Sequence, residues 1–219
     1  MIISMAMIII ATLVIMTIIA SMNMRGKWAE PLQKNTYKLN VTSMQPKNNK
    51  NRINFSPMTE IVNGYKGYWN FENYWQSGKV FEDISIEESK KYWKELKQAK
   101  RRYPNSKNKK VLYALFDEYT EKMDYITSRK KIYVPQYYDL IKDKELIIYW
   151  KDKIKEGYSI TIYDFDGPRN ENGDPICVEF SEELLIDKIN DIKFPFGHGY
   201  ILGSTLLDIN INKYINFNT

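Results

Sequence analysis

Met1–Met22, "MIISMAMIIIATLVIMTIIASM", carries no charge along its whole length and sets where a folded domain can begin. A helix of about 20 such residues crosses the roughly 30 Å of a bilayer's hydrocarbon, so we read the stretch as a single membrane span and as the chain's contact with a membrane. A cleaved leader has a basic start and a shorter apolar run, and neither is present here. Arg25 and Lys27 follow the run, which by the positive-inside bias keeps the rest of the chain on the cytoplasmic face. Translation from Met22 or Met24 would instead give a cytoplasmic protein lacking the segment.

The chain has 219 residues, enough for one ordinary domain plus an appendage. Lys and Arg total 32 against 27 Asp and Glu, a net charge of +5. The charges are interspersed and do not form a basic arm. That balance suits a phosphate-bearing ligand and gives no footprint for specific nucleic-acid binding. Cys177 is the one cysteine and His198 the one histidine. An internal disulfide, a cysteine zinc cluster and the ordinary zinc-enzyme ligand sets are therefore excluded, and no metal site is expected. The abundance of Ile, Lys, Asn and Tyr fits an AT-rich genome.

Residues 25–52 read as a polar linker in which "YKLNVTSM" alternates as an edge strand would. Residues 53–219 read as one predominantly helical α+β domain, behind the hydrophobic segment 1–24. Ser85 with Glu88 three residues on starts a helix whose apolar line runs through Ile86, Trp93, Leu96, Ala99 and Tyr103, and Pro104 ends it. Helices are also expected over about 110–123, over "DLIKDKELIIYWKDKIKEG" to Gly157, from Ser181 to before Pro195, and in the closing "GYILGSTLLDI". "YSITIYDFDG" alternates and stops in a turn, which makes it a strand.

"GYWNFENYWQSGKVF" (Gly67–Phe81) is the densest candidate site. A helix from about Asn70 to Val80 lines up Glu72, Gln76 and Lys79 on one stripe and Phe71, Tyr74, Trp75 and Val80 on another. The same pattern fits a core helix with a wet polar face. "NFSPM" and the turn glycines Gly64 and Gly67 bring irregular backbone beside it, as in a ligand cleft. "NDIKFPFGHGYILG" sets His198 between Gly197 and Gly199 ahead of a helix, a seat for an anionic group, with Asp191 just upstream. Arg129, Lys130 and Lys131 lie beside Tyr125 and Tyr133; Arg101 and Arg102 form a second basic pair, and an arginine of this kind can hold phosphate. "IYDFDGPR" resembles the first motif of haloacid-dehalogenase-type phosphatases, which would make Asp164 a nucleophile. The proline after Gly167 and the short remaining chain favour turn roles for Asp164 and Asp166.

Taken in order, "FSPM", "FENYWQSGKVF" and "DIKFPFGHGYILGSTLLDI" resemble the three landmarks of NADAR-type domains, nearest to a branch found in phages and large viruses. The resemblance covers about residues 54–209. It implies a helix-rich α+β fold and a metal-independent N-glycosidase that needs no cofactor and acts on phosphorylated ribosyl or ADP-ribosyl compounds. It implies Glu72 as the family glutamate, Gln76 and Lys79 as its partners and Asp191 as the acid of the closing loop. Asn73 and the Phe196-Gly197 pair depart from the family's pattern. Such chemistry builds positive charge on C1 and the ring oxygen, so Glu72 and Asp191 would stabilise it and activate water. Trp69, Tyr74 or Trp75 would stack on the base, Lys79 or Arg129 would hold phosphate, and Gly197 and His198, with Gln76, would also bind substrate. A membrane-anchored structural or interaction protein, of virion type and without catalysis, is the competing expectation.

Overall fold

The computed structural model describes residues 16–22 and 26–215. In chain order its elements are β1 (Thr17–Ser21), β2 (Tyr37–Asn40), α1 (Lys50–Phe55), α2 (Phe71–Ser77), β3 (Lys79–Phe81), α3 (Ile86–Glu95), β4 (Val111–Ala114) and α4 (Tyr125–Ser128). A π-helical turn (Arg129–Tyr133) runs from α4 into α5 (Val134–Ile141). Then come α6 (Glu145–Lys155), β5 (Ile160–Asp164), β6 (Cys177–Glu179), α7 (Glu182–Asn190), α8 (His198–Leu206) and a final 3-10 turn (Ile211–Tyr214).

The end of the apolar N-terminal run is a strand. β1 lies inside the four-stranded sheet β2-β5-β1-β6, parallel to β5 with Thr17 opposite Ile160 and Ser21 opposite Asp164, and antiparallel to β6. No residue of β1 is more than 1 % exposed. A strand covered on both faces reads as an unbroken run of β-branched and apolar residues, and such a run has no periodicity to separate it from a membrane helix. The expected span across 1–22 is thus corrected for residues 17–21. Residues 1–15 lie outside the described residues, and with them most of that expectation. Among the described residues no helix is long and apolar enough to cross a membrane.

β2 pairs parallel to β5 and forms one edge of the sheet, as the alternation in "YKLNVTSM" indicates. The expected linker is consequently part of the fold over its described residues, 26–52: Leu39 and Val41 belong to the same buried core as Ile19, Ile160 and Ile162. That core continues without a break into Phe71, Tyr74 and Trp75 of α2, Tyr137 of α5 and Ile201 and Leu202 of α8, so the chain forms one mixed α/β unit. α8 packs on β1 and β5.

Four helices expected from sequence differ. α2 ends at Ser77, with Gly78 as C-cap, and Lys79–Phe81 pairs with β4. A Cβ on Gly78 would lie 2.5 Å from the Phe116 ring, so the chain turns there against that ring. The expected helix over 110–123 is instead β4 and a turn that brings Ala114 opposite Met123. The i, i+4 spacing of Val111 and Leu115 imitates a helix, but β3 supplies the hydrogen bonds. α3 keeps its Ser85 cap and stops at Glu95, because Leu96 is extended. The stretch ending at Gly157 is two helices, interrupted after Ile141, with Lys144 extended at the start of α6.

Candidate active site

The three parallel strands β2, β5 and β1 end on the same side of the sheet, the usual place for a ligand in such sheets. Asp164 is the last residue of β5. A cavity of about 460 Å³ opens beyond it. Its walls come from α2 and β3 (Glu72, Trp75, Gln76, Lys79), the segment past β5 (Asp164, Phe165, Asp166), the turn before α8 (Phe196, His198) and the π-helical turn (Arg129, Tyr133). Ser56, Pro57 and Met58 contribute another wall, and Arg101, Arg102 and Lys109 bring positive charge to it.

Asn70 caps α2 by accepting from Asn73 N (2.7 Å), and the Glu72 N–H donates to Pro57 O (2.9 Å), so the helix start is tied to the "FSPM" segment. One turn on, Gln76 Nε2 donates to Glu72 Oε1 (2.6 Å) and fixes the carboxylate at the cavity wall. Trp75 stacks on Phe116 with ring centres 5.8 Å apart and planes at 18°. Lys79 Nζ lies 5.3 Å from the Trp75 ring centre. Burial lowers Lys79 below the usual ammonium range, against the pull of the Glu72 and Asp166 carboxylates.

Asp164 is 2 % exposed and built in. Its Oδ2 accepts from Gly199 N (2.8 Å) and lies 3.2 Å from His198 Nδ1, while His198 Nε2 is 3.2 Å from Val41 O. A Cβ on Gly197 would fall 2.3 Å from that same Oδ2. The Gly-His-Gly sequence therefore exists to close backbone around a buried carboxylate. Asp166 differs: among the described residues its carboxylate makes no hydrogen bond or ion pair. Burial first, then the Asp164 charge, pushes Asp166 up to about 6 against the opposing pull of Arg101 and His198, with Glu72 adding a smaller upward push. The Arg101 guanidinium sits 4.1 Å over the neighbouring Phe165 ring.

Of the residues singled out by sequence, Glu72, Trp75, Gln76, Lys79, Arg129 and His198 line this cavity, and Gly197 abuts it through Asp164. Asp191 does not. It is the C-cap of α7, and its Oδ1 accepts from Lys193 N (2.7 Å) and Phe194 N (3.2 Å) in a turn that occupies the side chain. Tyr74 is in the core, where its hydroxyl donates to Glu118 Oε2 (3.1 Å), and Trp69 lies in the turn before α2; neither lines the cavity. Arg129 is 1 % exposed and its NH1 donates to the carbonyls of Lys188, Ile189 and Asp191 at 3.0, 3.0 and 2.9 Å. It secures the end of α7 and brings charge to the cavity wall. A phosphate-gripping fork there is not free to form.

Sequence reasoning read Asp164 and Asp166 chiefly as turn formers, with Asp164 otherwise a phosphatase nucleophile, and gave Tyr133 no role; the structure puts all three on the cavity. A carboxylate at the carboxyl end of a buried strand was the available signal for the first two, outweighed by the turn-forming habit of Asp-Gly. Comparison with protein-family models, with curated proteins and with solved structures finds no match to this chain.

Proposed function

We propose that this cavity hydrolyses the N-glycosidic bond of a phosphorylated ribosyl or ADP-ribosyl compound, in the manner of the NADAR-type domains that the sequence resembles. The reading rests on one observation: the three stretches that carry the resemblance, through Ser56–Met58, Glu72–Lys79 and Phe196–His198, line a single cavity. The second acid of the pair is Asp166, not Asp191.

Asp166, holding its proton up to about pH 6, donates it to the leaving base as the C1–N bond breaks and the bonding electrons go to nitrogen. Glu72, steadied by Gln76, stabilises the positive charge on C1 and the ring oxygen and takes a proton from the water that attacks C1. Glu72 then releases its proton to solvent, and solvent returns one to Asp166. Two carboxyl groups in unlike environments divide the acid and base roles. Trp75 brings an aromatic contact for a planar base to the cavity wall, and Arg101, Arg102 and Lys79 supply positive charge for phosphate.

Incubating the full chain with a phosphorylated N-ribosyl compound in ¹⁸O water tests this. Free base must appear and the label must enter the sugar at C1. A second reading, an aspartate-based phosphatase, is favoured by Asp164 standing at the end of a parallel strand with Oδ1 making no hydrogen bond among the described residues. It requires the label in released phosphate and loss of that release in Asp164→Asn.

A further inference from the structure

The turn Arg129–Tyr133 is π-helical, a rare form that recurs at functional sites, and both of its end residues face the cavity. Tyr133 is 7 % exposed. Its ring packs 5.0 Å from Trp75 and 5.5 Å from Phe71 and lies parallel to Tyr137 at 6.1 Å, yet among the described residues its hydroxyl makes no hydrogen bond. The ring is buried, but the hydroxyl oxygen is not among the described buried polar atoms left without a partner, so it reaches the cavity and is free to donate to whatever occupies it. Burial, followed by the Glu72, Asp164 and Asp166 charges, raises its ionisation well above the ordinary tyrosine range, so it stays an uncharged donor.

The groups around it are chiefly acceptors. Glu72 and Asp164 are carboxylates, Asp166 gives its one proton to the leaving base, and Gln76 Nε2 spends one of its two hydrogens on Glu72. A sugar hydroxyl both donates and accepts. Carboxylates can take its proton, but its oxygen then needs a donor that is not a competing cation. The phosphate belongs with Arg101, Arg102 and Lys79 on the cavity's basic wall, and a bare carbonyl has no proton to offer the carboxylates.

We infer that Tyr133 donates to the hydroxyl next to C1 of the bound sugar, so that the site selects ribosyl over 2′-deoxyribosyl ligands. This rests on the glycosidase reading and adds a specificity residue to it.

The experiment measures calorimetric binding of ribose 5-phosphate and 2-deoxyribose 5-phosphate to the full chain and to Tyr133→Phe, with base release assayed beside it. Phenylalanine preserves the ring packing, and the melting temperature of the variant checks this. The parent is expected to bind the ribose compound about 10-fold more tightly, the size of one well-made hydrogen bond. Tyr133→Phe is expected to bring the two within about threefold by weakening the ribose compound alone. Equal binding by the parent with base release intact overturns the inference and leaves the glycosidase reading standing. Discrimination that survives in Tyr133→Phe does the same. Binding of neither sugar, with no base released, overturns both.

Discussion

Asp166→Asn should make this protein more stable while abolishing its chemistry. The carboxyl is held at about 6 against an ordinary 3.8, and a carboxylate raised that far is destabilised when ionised by about 3 kcal/mol in the folded state. The direction in pH follows from proton counts. Between about 4 and 6 the folded chain holds more protons than the unfolded one, so the penalty grows as pH rises through that window and is complete above it. It is absent in strong acid. Asparagine has nearly the same shape and loses no side-chain hydrogen bond, since Asp166 makes none to protein among the described residues. Urea unfolding of parent and variant should therefore separate by about 3 kcal/mol at pH 8 and by only about 0.6 kcal/mol at pH 4. In melting temperature the gap at pH 8 is roughly 9 °C for a chain of this size. A variant no more stable than the parent at pH 8, or equally advantaged at both pH values, would refute the reasoning about a desolvated, unpaired acid.

Two other outcomes bear on the fold. A chain begun at Met22 loses β1; burial of Ile18 and Ile19 alone is worth about 4 kcal/mol, and β5 and β6 lose their shared neighbour, so no cooperative melting transition should be seen. A sharp transition at the parent's temperature would show that β1 is dispensable. Arg129→Met should cost about 3 kcal/mol by leaving the carbonyls at the end of α7 without their donor, read as a fall in the urea midpoint. An unchanged midpoint would mean that water replaces the guanidinium at no cost.

Local chemistry made several elements readable. Ser85 and Ser181 cap α3 and α7 as their positions in sequence suggest, and the alternation in "YSITIYD" yields β5. What the sequence could not reveal depends on partners far along the chain. β1 is recognisable only once β5 and β6 lie beside it, and β4 only with β3. The site divides the same way. Glu72, Gln76 and Trp75 come from one helix and could be read together, whereas the acid that joins Glu72 lies past a strand end 94 positions away by residue number (166 − 72). Asp191 misled because the closing loop does reach the cavity through Phe196 and His198, while Asp191 itself is consumed by a turn five residues earlier than Phe196 (196 − 191).

Single-turnover base release from a phosphorylated N-ribosyl compound by Glu72→Gln, set against the parent at matched folded concentration, goes to the heart of the account. Loss of the charge that faces C1 should slow release by about 10²- to 10⁴-fold with the melting transition retained. Release at the parent's rate would contradict the assignment of Glu72 to the reaction and leave the cavity without its glycosidase chemistry.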